Sequence, residues 1–120
     1  MLRIEDGEKC GLIGCITEEP FMQDGYGWME IRCERLNNHP VRPEIVLIRM
    51  EARQLKYLQG YFKRGDMIYA SCYGASEEDK QDVNANNFAF LHDLKLLRKA
   101  EVEEEPLWKS YLKDRMSGRF

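Results

Sequence analysis

Residues 57–73 read Tyr-Leu-Gln-Gly-Tyr-Phe-Lys-Arg-Gly-Asp-Met-Ile-Tyr-Ala-Ser-Cys-Tyr and join one kind of secondary structure to another. The apolar residues before this stretch and in its first part recur at helical spacing, which predicts a helix of about three turns over Glu51–Phe62. Lys63-Arg64-Gly65-Asp66 then places a glycine behind two cations, which is typical of a helix C-terminus. Beyond it, apolar and polar residues alternate, so Met67–Tyr73 is predicted to be a strand.

Three further strands are predicted before this helix. Cys10–Thr17 is a short apolar run, Trp28–Arg35 alternates with a period of two, and Glu44–Met50 is apolar and β-branched. Glu18–Gly27 contains one proline and two glycines, which predicts a loop or hairpin connection. The alternation predicts that one face of each strand is buried and the other exposed to solvent.

One more strand is predicted after residue 73. Ala75–Asn87 is polar and acidic and is predicted to be a long loop, a length that is usually functional or mobile. Asn87–Leu97 supplies the last strand, and Pro106–Met116 is predicted to form a short helix. Tyr57, Tyr61 and Phe62, on or after the first helix, are expected to pack against the bottom of the barrel.

The order of elements is therefore three strands, a helix, and two strands. It predicts an all-β protein with a five-stranded OB-fold barrel, a helix between strands three and four, and a short C-terminal helix. Residues 1–100 are predicted to be the OB-fold domain and residues 101–120 a helical appendage. Another small antiparallel barrel or an α+β domain is the alternative that this order leaves open.

Size and composition agree with one domain. The chain has 120 residues, of which 43% are hydrophobic, enough for a core and too many for a disordered chain. It has no apolar run long enough to cross a bilayer, and acids stand near the N-terminus where a signal peptide would be apolar. We expect a cytoplasmic protein without membrane contact. The four cysteines have no second pair at zinc-ligand spacing, so they are predicted to be buried hydrophobic residues, and no metal or cofactor is predicted.

Three segments resemble the bacterial single-stranded DNA-binding proteins and their OB-fold relatives, which include primosomal and plasmid- or phage-borne versions. Leu12–Pro20 is similar to that family's first strand, with an apolar-Gly-x-apolar-Thr pattern. Tyr57–Tyr69 resembles its helix and the basic-Gly-Asp entry to strand four, and Phe88-Ala89-Phe90 lies where the last strand should be. The resemblance covers roughly residues 10–98. The chain departs from the family at its end, Arg115–Phe120, which lacks the family's acidic tip and indicates a specialised version.

The resemblance and the charge distribution together predict a surface for single-stranded DNA. Residues 32–64 contain eight basic and three acidic residues, a net charge of +5 (8 − 3), and phosphate binding needs only a local basic patch. Base stacking on aromatic rings would supply the remaining affinity. Seven residues are predicted to contact nucleic acid: Trp28 and Arg32 on strand two, Arg49 on strand three, Arg53 on the helix, Tyr69 and Tyr73 on strand four, and Phe90 on strand five.

Two functional hypotheses follow. The first is non-enzymatic binding of single-stranded DNA in replication, recombination or mobile-element transfer, by a homo-oligomer with possible replication or mobile-element partners. The second is an OB-fold interaction subunit or adaptor of a replication or conjugation complex. Convergence of Arg32, Arg49 and Arg53 beside Trp28 would favour the first, and ion pairs with nearby glutamates the second. No nucleophile setting, glycine-rich phosphate loop or paired carboxylates are present, so no enzyme is predicted.

Overall fold

The five strands form a closed barrel. The computed structural model describes residues 2–100. Its elements are β1 (Lys9–Gln23), β2 (Tyr26–Leu36), β3 (His39–Glu51), α1 (Ala52–Leu58), β4 (Met67–Gly74), α2 (Glu77–Asp82) and β5 (Phe88–Arg98). The strand order around the barrel is β1-β2-β3-β5-β4, and β1 also pairs with β4. All pairs are antiparallel except β3 with β5. The prediction of an all-β OB-fold barrel with a helix between strands three and four is confirmed.

The barrel interior is filled by the side chains that the alternation predicted to be buried. Met29, Ile31 and Cys33 of β2 are fully buried, and Ile68, Ala70 and Cys72 of β4 are buried to the same degree. Because successive residues of a strand point to opposite faces, the intervening residues lie outside the barrel. Function therefore depends on that outer face.

The first connection is shorter than predicted. β1 continues through Pro20 to Gln23, and only Asp24 and Gly25 form the turn, with φ angles of 53° and 81°. Two residues with positive φ suit the right-handed twist of a hairpin. The proline is accommodated because the β1–β2 register shifts between Glu18 and Phe21, and proline is tolerated at bulges.

The third strand also extends beyond its predicted start. β3 begins at His39 and includes Pro40 and Pro43. It pairs with β5 only at Leu47–Arg49, so its first part has a partner on one side only. An edge position does not require every N–H to be hydrogen-bonded, which is why prolines fit there.

The predicted three-turn helix was too long, and Lys63-Arg64-Gly65-Asp66 does not end it. α1 stops at Leu58, and Gly60 follows with a φ of +87°, a conformation natural to glycine. Lys63–Asp66 forms a separate β-turn closed by the Asp66 N–H donating to the Lys63 carbonyl at 3.0 Å. Gly65 has a φ of +90° at the third position, as a type II turn requires.

Asp66 joins this turn to the end of the barrel. Its side chain is fully buried, and it accepts hydrogen bonds from the N–H groups of Lys63 and Ala100 and from the Lys99 ammonium. Burial opposes ionisation, but these donors outweigh it and lower the pKa of Asp66 below its usual value. The carboxylate therefore connects the entry of β4 to the end of β5.

The predicted loop after β4 contains a short helix. Ser76 caps α2 by accepting from the Asp79 N–H at 3.1 Å, as serine commonly does. Lys80 of α2 is buried and donates to the Ile4 carbonyl at 3.0 Å. This bond fixes the N-terminal segment, whose Leu2 and Ile4 pack on the core.

The predicted C-terminal helix over Pro106–Met116 lies outside the described residues. Within residues 2–100, no helix has the length and apolar character needed to cross a membrane.

Candidate nucleic-acid interface

Aromatic side chains cluster on the outer face of β2, β3 and β5. Trp28 stacks on Phe88 with ring centroids 5.9 Å apart and planes 19° apart. Phe90 meets Phe88 edge-on at 5.2 Å. Phe88 is fully buried under these neighbours although it lies outside the barrel core. We call Tyr26, Trp28, Arg49, Phe88 and Phe90 the aromatic cluster.

Arg49 lies at the centre of the aromatic cluster. Its guanidinium carbon is 4.2 Å from the ring centre of Tyr26 and 4.6 Å from that of Phe90. The rings of Phe88 and Trp28 are 5.7 and 6.0 Å away. Each contact is within cation–π range. Within residues 2–100, the guanidinium forms no ion pair, so its positive charge is not neutralised by a carboxylate there.

Strand pairing places three residues of the aromatic cluster and Tyr73 in one row across the sheet. Trp28 pairs with Arg49 across β2 and β3, Arg49 with Phe90 across β3 and β5, and Phe90 with Tyr73 across β5 and β4. Neighbouring strands are about 4.8 Å apart, so the row spans roughly 14 Å. In order across the sheet, it presents one ring, one cation and two further rings.

A groove of about 450 Å³ opens beside this row, between α1 and β5. Tyr26, Arg49 and Phe90 line it on the sheet side, and Arg53 and Gln54 line it on the helix side. Arg53 forms an ion pair of 2.7 Å with Glu51, and both side chains are largely exposed. An exposed pair of this kind contributes little stability and can exchange partners readily.

The rings differ in how firmly they are held. The Trp28 indole N–H donates to the Gln23 carbonyl at 2.9 Å, which fixes its orientation beside the β1–β2 turn. The Phe88 ring stacks against it. Tyr26 is 42% exposed and Tyr73 is 38% exposed, so each keeps ring surface available to a ligand.

The structure brings together some of the predicted residues and separates others. Trp28, Arg49 and Phe90 lie together, and the predicted convergence of the three arginines is limited to Arg49 and, across the groove, Arg53. Arg32 pairs with Ile45 and not with a residue of the row; it lies four positions further along β2 than Trp28, about 13 Å away.

Tyr69 lies on the other side of the row, opposite Lys95. Its ring lies over Gly11 of β1, so close that a Cβ atom at that glycine would be 2.7 Å from the tyrosine hydroxyl. It therefore belongs to a different part of the outer surface from the aromatic cluster. Tyr73 instead contacts His92 edge-on at 5.6 Å.

The sequence interpretation missed Tyr26 because it assigned Gly27 and the residues before it to a loop. The signal was present: Tyr26 and Trp28 are two residues apart and therefore share a strand face. Phe88 is a second residue that the sequence did not single out. It is buried by other outer-face side chains, which no pattern within β5 alone can indicate.

A second cleft, of about 870 Å³, lies between the N-terminal segment, β3 and α2. Glu30, Glu44 and Glu77 line it together with Lys80 and Asn87. Asn87 donates to Glu44 at 3.1 Å, and Lys80 to Glu77 at 3.2 Å, so the polar groups partly satisfy one another. Within residues 2–100, no group of His, Cys, Asp and Glu side chains is arranged to hold a metal ion.

Three of the four cysteines are buried and are expected to be unreactive in the folded protein. Cys10, Cys33 and Cys72 are buried in the barrel, as predicted, and Cys15 is half-buried. Burial raises the pKa of Cys10 to about 11 and also raises the pKa values of Cys33 and Cys72. Buried thiols with raised pKa values are weak nucleophiles.

Comparison with known proteins gives structural neighbours only. No protein-family model matches the chain, and no curated protein matches its sequence. The mitochondrial single-stranded DNA-binding protein Rim1 of S. cerevisiae superimposes with a TM-score of 0.59 at 18% identity, over 80% of this chain and 100% of that one. A second crystal form of Rim1 gives 0.56 at 17% identity, over 79% of this chain and 100% of that one.

A ZRD-deleted mutant of TiaS, solved in complex with agmatine, matches 78% of this chain and 22% of its own length, with a TM-score of 0.50 and 18% identity. At these identities, the likenesses to Rim1 and TiaS establish the fold that they share with this chain.

Proposed function

We propose that this chain binds single-stranded DNA without catalysing a reaction. The observation that carries the proposal is Arg49, whose charge lies among four aromatic rings on an outer sheet face without a carboxylate partner in the described residues. Binding a single strand requires cations for the phosphates and flat rings for the bases. The aromatic cluster combines the two within one site.

The row gives each residue a role. Arg49 and Arg53 neutralise phosphates along the groove, while Tyr26, Trp28 and Phe90 offer surfaces for base stacking. Tyr73 extends the stacking surface onto β4. Arg32 and Tyr69 flank the row on opposite sides and would contact only a strand that continues past it. Stacking contributes about 1–3 kcal/mol per base and tolerates any sequence, so the site is expected to have little sequence preference.

Two further observations support this function. The fold is shared with Rim1, which is described as a single-stranded DNA-binding protein. In addition, buried Phe88 contacts both Trp28 and Phe90, and rings fixed before binding lose little side-chain entropy when a base stacks on them.

We further propose that the protein acts in the cytoplasm, as a homo-oligomer, in replication, recombination or mobile-element transfer.

The adaptor hypothesis is favoured by one contact, the ion pair between Arg53 and Glu51. If the groove bound a protein partner, the aromatic cluster would be buried against that partner. A single strand would then not compete with the partner for the groove. Affinity for a single strand, and its dependence on salt, separates the two functions because phosphate binding releases counterions.

Titration with oligothymidine of about 16 nucleotides at low and high salt tests the proposal. The titration follows the fluorescence of Trp28 in a Trp108→Phe background. We expect quenching and an affinity that falls steeply as salt rises, by about 0.7 in log–log slope per phosphate contacted. Absence of binding at micromolar protein concentration in low salt would refute single-strand binding.

Tyr26→Ser is the sharper variant, because Tyr26 is 42% exposed and its removal leaves the core intact. It should weaken binding by about 1 kcal/mol or more, whereas Tyr26→Phe, which keeps the ring, should not. Trp28→Ala removes the fluorescent reporter, so its binding is measured by calorimetry; it should weaken binding further, with thermal melting used to check its fold. Unchanged affinity in both Tyr26→Ser and Trp28→Ala would mean that the stacking surface lies elsewhere.

A further inference from the structure

A second surface with aromatic and basic side chains lies on α1 and the turn that follows it. Tyr57 is 84% exposed and Tyr61 is 72% exposed, although the sequence interpretation expected both to pack against the barrel. Of the three aromatic residues expected to pack there, only Phe62 contacts the core, together with Leu55. Two tyrosines left this exposed on a 7-residue helix and its following turn add no packing to the barrel, and they are available to a ligand.

The stretch of chain that carries these tyrosines has charge of one sign, and the exposed acid just before it, Glu51, is paired with Arg53. Residues 52–64 contain four basic residues, Arg53, Lys56, Lys63 and Arg64, and no acidic residue. Within residues 2–100, the last three form no ion pair. The next carboxylate along the chain, Asp66, is fully buried with its oxygens occupied by N–H and ammonium donors. The surface therefore attracts a polyanion.

This surface continues from the groove beside the aromatic cluster. Arg53 lines the groove and Tyr57 is four residues further along α1, so both lie on one face of the helix. Gln54 donates to the Leu91 carbonyl of β5 at 3.3 Å, which holds the helix against the strand that carries Phe90. A chain that leaves Phe90 along the groove therefore reaches Arg53 and then Tyr57.

We propose that a bound single strand continues from the aromatic cluster over α1, with a base stacked on Tyr57 or Tyr61 and phosphates held by Lys56, Lys63 and Arg64. This inference rests on the proposed function and assigns a second part of the same path. Rings that alternate with cations, with no exposed acid between residues 52 and 64, fit a phosphodiester backbone with its bases better than an apolar protein surface. A protein partner, or residues 101–120 of this chain, would be the other occupants.

The first test uses two probe lengths, because a short strand fills only the aromatic cluster. Site sizes of OB folds range over about 4–16 nucleotides, so oligothymidines of about 4 and about 16 nucleotides are titrated by calorimetry into the full chain. Tyr57→Ser should weaken binding of the longer probe by about fivefold or more and leave the shorter one unchanged. Tyr57→Phe, the matched control, should bind both probes as the parental chain does.

The second test measures charge separately from stacking. Arg64→Gln should make the dependence of log Kd on log salt shallower by about 0.7 for the longer probe, the value for one phosphate contact. Arg42→Gln removes the same charge from an exposed position at the far end of β3 and should leave the slope unchanged.

The outcomes separate the two proposals. If the parental chain binds neither probe, single-strand binding itself fails, and this inference fails with it. If both probes bind but Tyr57→Ser and Arg64→Gln behave as their controls do, the aromatic cluster remains the proposed binding site for the single strand. The surface formed by α1 and the turn after it then does not bind the strand, and the inference is overturned. Loss confined to the longer probe supports the path over α1.

Discussion

Asp66 offers a direct test of how the barrel is closed. Its buried carboxylate accepts from the Lys63 N–H at 2.9 Å, the Ala100 N–H at 2.7 Å and the Lys99 ammonium at 3.1 Å. These bonds connect the turn before β4 with the end of β5. Replacing Asp66 with Ala removes the acceptor and leaves two backbone donors and an ammonium without it.

The expected loss of stability is large. The two backbone N–H groups each lose a hydrogen bond to a charged acceptor, which contributes about 1.5–3 kcal/mol; the Lys99 side chain is half exposed, so water can solvate its ammonium once Asp66 is removed. We expect Asp66→Ala to lower the free energy of unfolding by about 3–5 kcal/mol. Asp66→Asn should lower it by about 2 kcal/mol or more, because its amide group presents a donor where the carboxylate accepted one.

Urea denaturation followed by circular dichroism measures this loss. With an m-value of about 1–2 kcal/mol/M, Asp66→Ala should move the midpoint down by about 2 M or more. Asp93→Asn is the matched control, because Asp93 is exposed on β5 and its carboxylate accepts from the neighbouring Leu94 N–H. That control should stay within about 0.5 kcal/mol of the parental chain.

The pH dependence of stability tests whether the charge of Asp66 is responsible for this loss. Since the pKa of Asp66 is lowered by folding, the unfolded chain takes up this proton first as pH falls. The stability from the ionised carboxylate is present above its usual pKa near 3.8 and is lost as pH falls through the lower folded pKa. The stability difference between the parental chain and Asp66→Asn should therefore be constant at about pH 5–7 and shrink below about pH 4.

Two results would refute this reasoning about Asp66. One is a midpoint for Asp66→Ala as close to the parental value as that of Asp93→Asn. The other is a stability difference between the parental chain and Asp66→Asn that does not change down to about pH 3, which would mean that the charge itself contributes nothing.

Two more predictions concern the interior. Gly74→Ala should destabilise the barrel by about 1–3 kcal/mol and lower Tm by about 5 °C or more, because an added Cβ would lie 1.8 Å from the Glu5 carbonyl oxygen; an unchanged melting curve would contradict this packing. Alkylation near pH 8, read by mass spectrometry, should modify Cys15 in the folded protein and spare Cys10, Cys33 and Cys72 until urea is added, because burial raises the pKa values of those three. Labelling of Cys72 at the rate of Cys15 would count against a closed barrel.

Local pattern was sufficient for most of the strands and insufficient for their ends. The alternation in Trp28–Arg35 and Met67–Tyr73 indicated which residues are buried, because period two follows from the pleat itself. It did not reveal that β1 runs through Pro20 or that α1 stops at Leu58. The first depends on strand pairing, because a register shift accommodates the proline; the second accompanies the positive φ of Gly60, just past the helix.

The candidate site illustrates the same division. Composition showed that residues 32–64 are basic, and residue types named Trp28, Arg49 and Phe90 as candidates. Their meeting depends on register across β2, β3 and β5, where a shift of one residue would turn a side chain to the opposite face. The same register leaves Arg32 and Tyr69 on either side of the row.

The sequence by itself determined the order of the five strands and α1 and the two faces of the alternating strands, because both follow from the spacing of apolar residues. Only the tertiary structure decided that Tyr26 joins the aromatic cluster, that Phe88 lies buried beneath it, and that Tyr57 stays exposed. Those three outcomes depend on contacts between residues far apart in the chain, and a closed barrel fixes such contacts only when all its strands are paired.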